Sequence, residues 1–190
     1  MNHETITSLP LIYIHCRDTK KTNPYDIACE LMENPAINMR GPEHHVLVGS
    51  ALLAAYHNCG GQINLPEALE TMAQQGGQIP RGVCGNWGNC GSGISAGIFM
   101  SIISKNTSFS DEGWRLANRL SSKCLESIAL SKGPLCCKRD GFLAIQTAAD
   151  FVAEHCGVQM ELPERLVCNF SSRYDECPGE QCLFYNVEAQ

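Results

Sequence analysis

Between residues 23 and 157 the chain repeatedly sets a proline or a capping residue ahead of an apolar segment, and often a glycine behind it. That order is written for helices, because proline is tolerated in a first turn and not inside, while glycine closes a last turn. Asn23-Pro24 opens a segment running to Met32. Pro42-Glu43 opens another through His57, stopped by Gly60-Gly61, and Pro66 begins a third that Gly76-Gly77 ends. The stretch Ser92 to Ser104 is rich in Ile, Phe, Met, Ala, Gly and Ser and reads as a buried helix that neighbours approach closely. Ser110-Asp111-Glu112 starts a longer helix through about Leu130, closed by Gly133-Pro134, and Asp140 starts one that reaches Cys156 and Gly157.

The ends of the chain carry a different pattern. Leu11 to His15, Leu166 to Phe170 and Leu183 to Tyr185 are short, β-favouring and bounded by turn residues, as small strands or extended arms would be. With 190 residues and no linker or repeat, the expected architecture is mostly α. It is one compact helical domain over residues 1–190, with a helical core at about 24–157 and a Cys-bearing tail at 158–190.

Twelve cysteines are the chemical signature of the chain. The opening MNHETITSLP has neither the basic stretch nor the apolar run of a secretory signal, and no segment has the uninterrupted apolar length of a membrane span. The expectation is a cytoplasmic protein with reduced thiols, serving as metal ligands, redox groups or small core residues. A net charge of −6 with no basic block argues against nucleic acid as a partner. A small anionic molecule or a partner enzyme is the expectation instead.

Seven cysteines lie in three irregular segments. RGVCGNWGNCGSG holds Cys84 and Cys90 among five glycines and leads into a helix N-terminus, a setting that favours anions and thiolates. PLCCKRD places Cys136 and Cys137 before Lys138 and Arg139; adjacent cysteines point in different directions, so one of the pair is expected in any given site. CNFSSRYDECPGEQC gives Cys168, Cys177 and Cys182 in a polar tail with little core of its own, which calls for an external staple. Packing loops with buried thiols are the plain alternative in each case. Cys29, Cys59, Cys124 and Cys156 read as helix-packing residues, and Cys16 can either join the core or meet the tail. All-thiolate ligation suits iron–sulfur or zinc, although neither the paired C-x2-C of zinc knuckles nor the ferredoxin run is present.

Other groups fill out a site. His44 and His45 follow Pro42 in a first helical turn, where one can face inward as an acid, base or ligand while the other stays solvated. Arg81, Lys138 and Arg139 are candidates to bind a carboxylate or phosphate, or are solvated charge. Trp87 among glycines suggests a plug or a pocket wall. No nucleotide-binding glycine motif and no G-x-S-x-G elbow is present.

The segments GVCGNWGNCGSGISAGIF, GPLCCKRDGFLAIQTAADF and LVCNFSSRYDECPGEQC, with HHVLVGSALLAAYHNCGG, resemble a cysteine-rich domain of unknown function from anaerobic bacteria and methanogenic archaea. In that family the domain stands alone or is joined to radical-SAM or methyltransferase-like modules. The resemblance covers about residues 40 to 185 and implies anaerobic metabolism, iron–sulfur neighbours and SAM-linked chemistry. It draws attention to the same His, Cys, Lys and Arg residues. Leu135 stands where the family pattern has Arg before the Cys pair, which weakens a role for a cation there.

The expected function is therefore a metal-binding protein carrying an iron–sulfur cluster, [4Fe–4S], on Cys84, Cys90, Cys136 or Cys137, Cys168, Cys177 and Cys182, in one site or two. As an enzyme it would use an open iron as Lewis acid, with Arg81 or Lys138 positioning substrate and His44 moving protons. The alternatives are a structural zinc-binding interaction domain, and a thiol enzyme that transfers sulfur or electrons through Cys84 and Cys90.

Overall fold

The computed structural model describes residues 6–187. Eight α-helices follow one another among them: α1 Leu9–Asp18, α2 Pro24–Glu33, α3 His44–Asn58, α4 Leu65–Gly76, α5 Val83–Asn86, α6 Gly91–Ile103, α7 Asp111–Leu130 and α8 Cys137–Cys156. Two short 3-10 turns, Ser171–Arg173 and Gly179–Gln181, punctuate the tail.

The apolar α3 is the axis of the molecule. It is buried from His44 through Tyr56 and touches α1, α2, α4, α6 and α8, so its sequence shows almost no polar face. α6, equally apolar and built of small residues, packs on α3, α4, α7 and α8. One hydrophobic cluster runs through these helices and takes in Leu166, Phe170 and Phe184 of the tail. Local signals support the helices. Asn23 accepts hydrogen bonds from the backbone N–H groups of Tyr25 at 2.9 Å and Asp26 at 3.3 Å, a cap worth about 1 kcal/mol.

Two expectations change and a third, left between strands and extended arms, is decided. Leu11–His15 is not β-like but lies inside α1: Pro10 occupies its first turn, and Ile12 and Cys16, four residues apart, share the buried face. Packing of that face on α3 and α4 outweighs β propensities worth only fractions of a kcal/mol per residue. The helical core thus begins at Leu9, and Cys16 belongs to it rather than to the tail. α8 starts at Cys137, with Cys136 as its N-cap, three residues ahead of the Asp140 start read from sequence. Finally, the two C-terminal segments are extended arms joined by a single parallel bridge, Cys168 to Tyr185, with no strand among the described residues.

The tail is tied to the core mainly by aromatic residues. The Tyr25 hydroxyl donates to the Val167 carbonyl and accepts from the Val167 N–H at 3.2 Å. Phe142 of α8 sits edge-on between Tyr25 and Phe184, with ring centroids at 4.9 and 5.6 Å. The Cys168 N–H donates to the Phe184 carbonyl at 2.6 Å, closing the tail on itself. No helix among the described residues is long and apolar enough to cross a membrane.

Candidate functional site

The start of α8 divides the cysteines between two cavities. Cys136 lines a closed cavity of about 20 Å³ together with Cys168, Cys177 and Cys182, and with Lys138 and Tyr174. Cys137, the next residue, lines an open pocket of about 860 Å³ with Cys84, His45, Glu43 and Arg81. The Cys-Cys pair therefore contributes one thiol to each side.

Several contacts bring the tail to Cys136. Gly133 has φ +103°, and a Cβ there would lie 2.9 Å from both Pro178 and the Arg139 guanidinium, so this turn admits Pro178, the neighbour of Cys177, only because it carries glycine. The Tyr174 hydroxyl donates to the Leu135 carbonyl at 2.6 Å and lies 3.0 Å from the Glu176 carboxylate. Arg40 binds that carboxylate at 3.1 Å and covers the Tyr174 ring at 5.2 Å. Sequence reasoning passed over Tyr174 and the Asn38–Glu43 turn; the Gly41-Pro42 pair was the signal that the turn existed.

The sulfurs are placed where backbone amides favour thiolate. The N–H groups of Lys138 and Arg139, at the N-terminus of α8, favour the anion of Cys136, and that of Phe170 does so for Cys168. On the other side, the N–H of Ser92 acts on Cys90 and that of Gly41 on Cys137. In three of these four the amide lies two residues beyond the cysteine, a turn that bends the chain around the sulfur. Burial works in the opposite sense and prevails: Cys168 and Cys90 are pushed up to about 11 and Cys137 to about 12. These three are thiols at neutral pH until something displaces the proton. All twelve cysteines are free, and no three His, Cys, Asp or Glu side chains among the described residues are grouped as ligands of a single ion.

Cys90 caps the N-terminus of α6 with its sulfur 3.8 Å from the Asp140 carboxylate, near enough to Cys84 and Cys137 for their charges to act on one another. The remaining cysteines are packing residues: Cys16 and Cys124 are fully buried in the core, and Cys29, Cys59 and Cys156 border it.

The two histidines differ as expected in orientation, but both are buried. His45 faces the open pocket; its Nδ1 lies 3.3 Å from the Ile79 carbonyl and so carries the proton, which leaves Nε2 as an acceptor. His44 lines neither cavity. Its Nε2 is 3.0 Å from the Asn38 carbonyl and 3.2 Å from Lys138 Nζ, its Nδ1 has no partner, and burial followed by the Lys138 charge lowers its pKa to about 3.

The basic residues also divide. Arg81 lies at the open pocket. Arg139 is buried and bonds the carbonyls of Lys132 at 2.7 Å and Pro134 at 2.9 Å and the Asp140 carboxylate at 3.0 Å, so it shapes the turn before α8. Lys138 is 0% exposed, with Nζ 2.7 Å from the Asn38 carbonyl and 3.3 Å from that of Met39. Trp87 lines neither of these two cavities and is 58% exposed.

A family model matches residues 12–185, which takes in all twelve cysteines, the whole lining of the four-cysteine cavity and all of the open pocket's lining except Ile6, Thr7 and Ser8. The chain belongs to DUF5714, a family of unknown function. The DUF5714 match begins inside α1, so the family domain includes the N-terminal helix as well as the segments from residue 40 onward. No match is found among curated proteins or among solved structures.

Proposed function

We propose that this chain is a metal-binding protein that holds an iron–sulfur cluster, [4Fe–4S], on Cys136, Cys168, Cys177 and Cys182. The observation that carries the reading is that four thiols, from the start of α8 and from a tail over 30 residues away, surround one closed cavity. The residues fit such a group. The donor set is all sulfur, and amides of the turns are aimed at Cys136 and Cys168. Zinc gathers four thiolates about 2.3 Å from one point, whereas a cubane keeps them around a body. The donor set suits either group, and the cavity as it stands, about 20 Å³, has room for about one water, so a cubane would draw the tail outward from the start of α8. Bound by all four thiolates, the cluster would supply one-electron transfer, with no iron left open to a substrate; the residues named here would hold it.

The open pocket is the proposed place for a small anionic partner, which would meet Arg81, His45 and the thiols of Cys84 and Cys137 there. An anaerobic setting and service beside SAM-linked enzymes rest on the family resemblance alone, and a cytoplasmic setting on the twelve free thiols. Thiol-based sulfur or electron transfer through Cys84 and Cys90 is the alternative at this pocket, which Cys84 lines, while burial raises the Cys90 thiol and disfavours its thiolate.

The test is anaerobic purification and reconstitution with iron and sulfide, comparing wild type with a Cys168→Ser, Cys177→Ser variant. The expected result is about four irons and four sulfides per chain in wild type and loss of both in the variant. Zinc without iron in both preparations, or iron retained in the variant, overturns the reading.

A further inference from the structure

We propose that Lys138 is the built-in counter-charge of the thiolate centre, a positioning residue that makes the closed cavity a site for an anionic metal–thiolate group. The proposal rests on the reading of Cys136, Cys168, Cys177 and Cys182 as one metal centre, and holds for either iron–sulfur or zinc.

A lysine in this place needs an explanation. It is 0% exposed, whereas lysine is rarely fully buried without a partner of opposite charge. It lies in the first turn of α8, the end of a helix that repels cations. Its hydrogen-bond partners are two carbonyls, Asn38 and Met39, and the ring of His44. Among the described residues no carboxylate pairs with it. Glu43, whose charge is felt at Lys138, spends Oε1 on the backbone N–H and side-chain amide of Asn38, both at 2.8 Å. Arg173 nearby adds repulsion. The ammonium also lies 5.7 Å from the Phe170 ring, Lys138 and Phe170 both line the four-cysteine cavity, and the charges of Cys137 and Cys136 would act on it.

An ammonium with no anion is costly to bury, and the cost disappears when the cavity beside it holds one. Loading supplies it: the four S–H protons leave to solvent, and four thiolates outweigh the two positive charges of Zn2+ or of an oxidised [4Fe–4S] core. The amides at the α8 N-terminus act in the same direction, so Lys138 and the helix end favour the same occupant. Glu43 and Lys138 both grip Asn38, so the Asn38–Met39 turn holds the ammonium against the cavity.

The proposal predicts a reversal of sign that a purely structural lysine would not produce. Lys138→Met removes charge and hydrogen bonds; Lys138→Gln removes the charge and keeps a donor for Asn38. Tm is measured for each full-length protein without metal, zinc affinity by competition with a chromophoric chelator, and the potential on iron-loaded samples. Both variants are expected to raise the Tm of the metal-free protein, to weaken zinc about 10–100-fold, and to lower the potential of any assembled cluster. Zinc affinity equal to wild type in both variants overturns the proposal. So does wild-type affinity in Lys138→Gln alone, which would assign the hydrogen bond and not the charge. Failure of both to fold without metal also contradicts it, because the metal-free protein is predicted to gain stability. If wild type itself binds neither zinc nor iron through Cys168 and Cys177, it is the metal-centre reading that fails.

Discussion

Cys136 and Cys137 face different cavities because one is the N-cap of α8 and the other its first helical residue, so the backbone turns between them. Their separation is legible in the sequence, since neighbouring side chains diverge; which one joins the tail is not, because it depends on where α8 begins. The helix was read from Asp140, whose carboxylate is a familiar first-turn signal, but Asp140 is buried and held by Arg139. His44 shows the same limit. A histidine after proline reads as surface or catalytic, and only the packing of α3 on α8 reveals that it is sealed beside Lys138. Its pKa falls from the ordinary 6.5 to about 3 in the folded state, so the unfolded chain takes up the proton first. The stabilisation from neutral His44 is complete above pH 6.5 and is lost as pH falls toward 3. Urea midpoints of the wild type should decline over that interval more steeply than those of His44→Gln; parallel curves would show that His44 does not titrate as its burial requires.

At the scale of elements, α2, α3, α4 and α7 follow their proline, capping and glycine signals closely, because the intervening turns carry those signals outright; α6 is legible from its small apolar composition, and α8 at its end but not at its start. α1 does not, since Leu-Ile-Tyr-Ile has strand-like side chains and only its burial against α3 and α4 decides for helix. The tail is the opposite case: its segments have strand composition but form one bridge, because no further strand is placed beside them among the described residues. What fixes the tail is a few buried rings. Phe184, buried and edge-on to Phe142, is one of these ties. Phe184→Ala should cost about 3–5 kcal/mol in chemical denaturation. It should also release iron from the loaded protein faster, since the ring anchors the segment whose backbone carbonyl accepts the Cys168 N–H. A loss below about 1 kcal/mol would mean that the tail docks by other contacts.

For the whole molecule, one helical core presents two thiol-lined cavities on either side of the α8 N-terminus, one closed by the tail and one open. Composition pointed to a metal protein, and clustering chose seven cysteines, but the grouping across the chain had to come from the fold. The closed cavity joins Cys136 to residues 168–182, a pairing that spacing within either segment does not reveal. The central claim is that this closed cavity, and not the whole set of seven cysteines, is the cluster site. Iron and acid-labile sulfide per chain in anaerobically prepared Cys136→Ser and Cys137→Ser test it most directly, because the substituted residues are adjacent and chemically identical. The account predicts that Cys136→Ser loses most of both while Cys137→Ser retains wild-type amounts; equal loss in the two, or loss in Cys137→Ser alone, would contradict it.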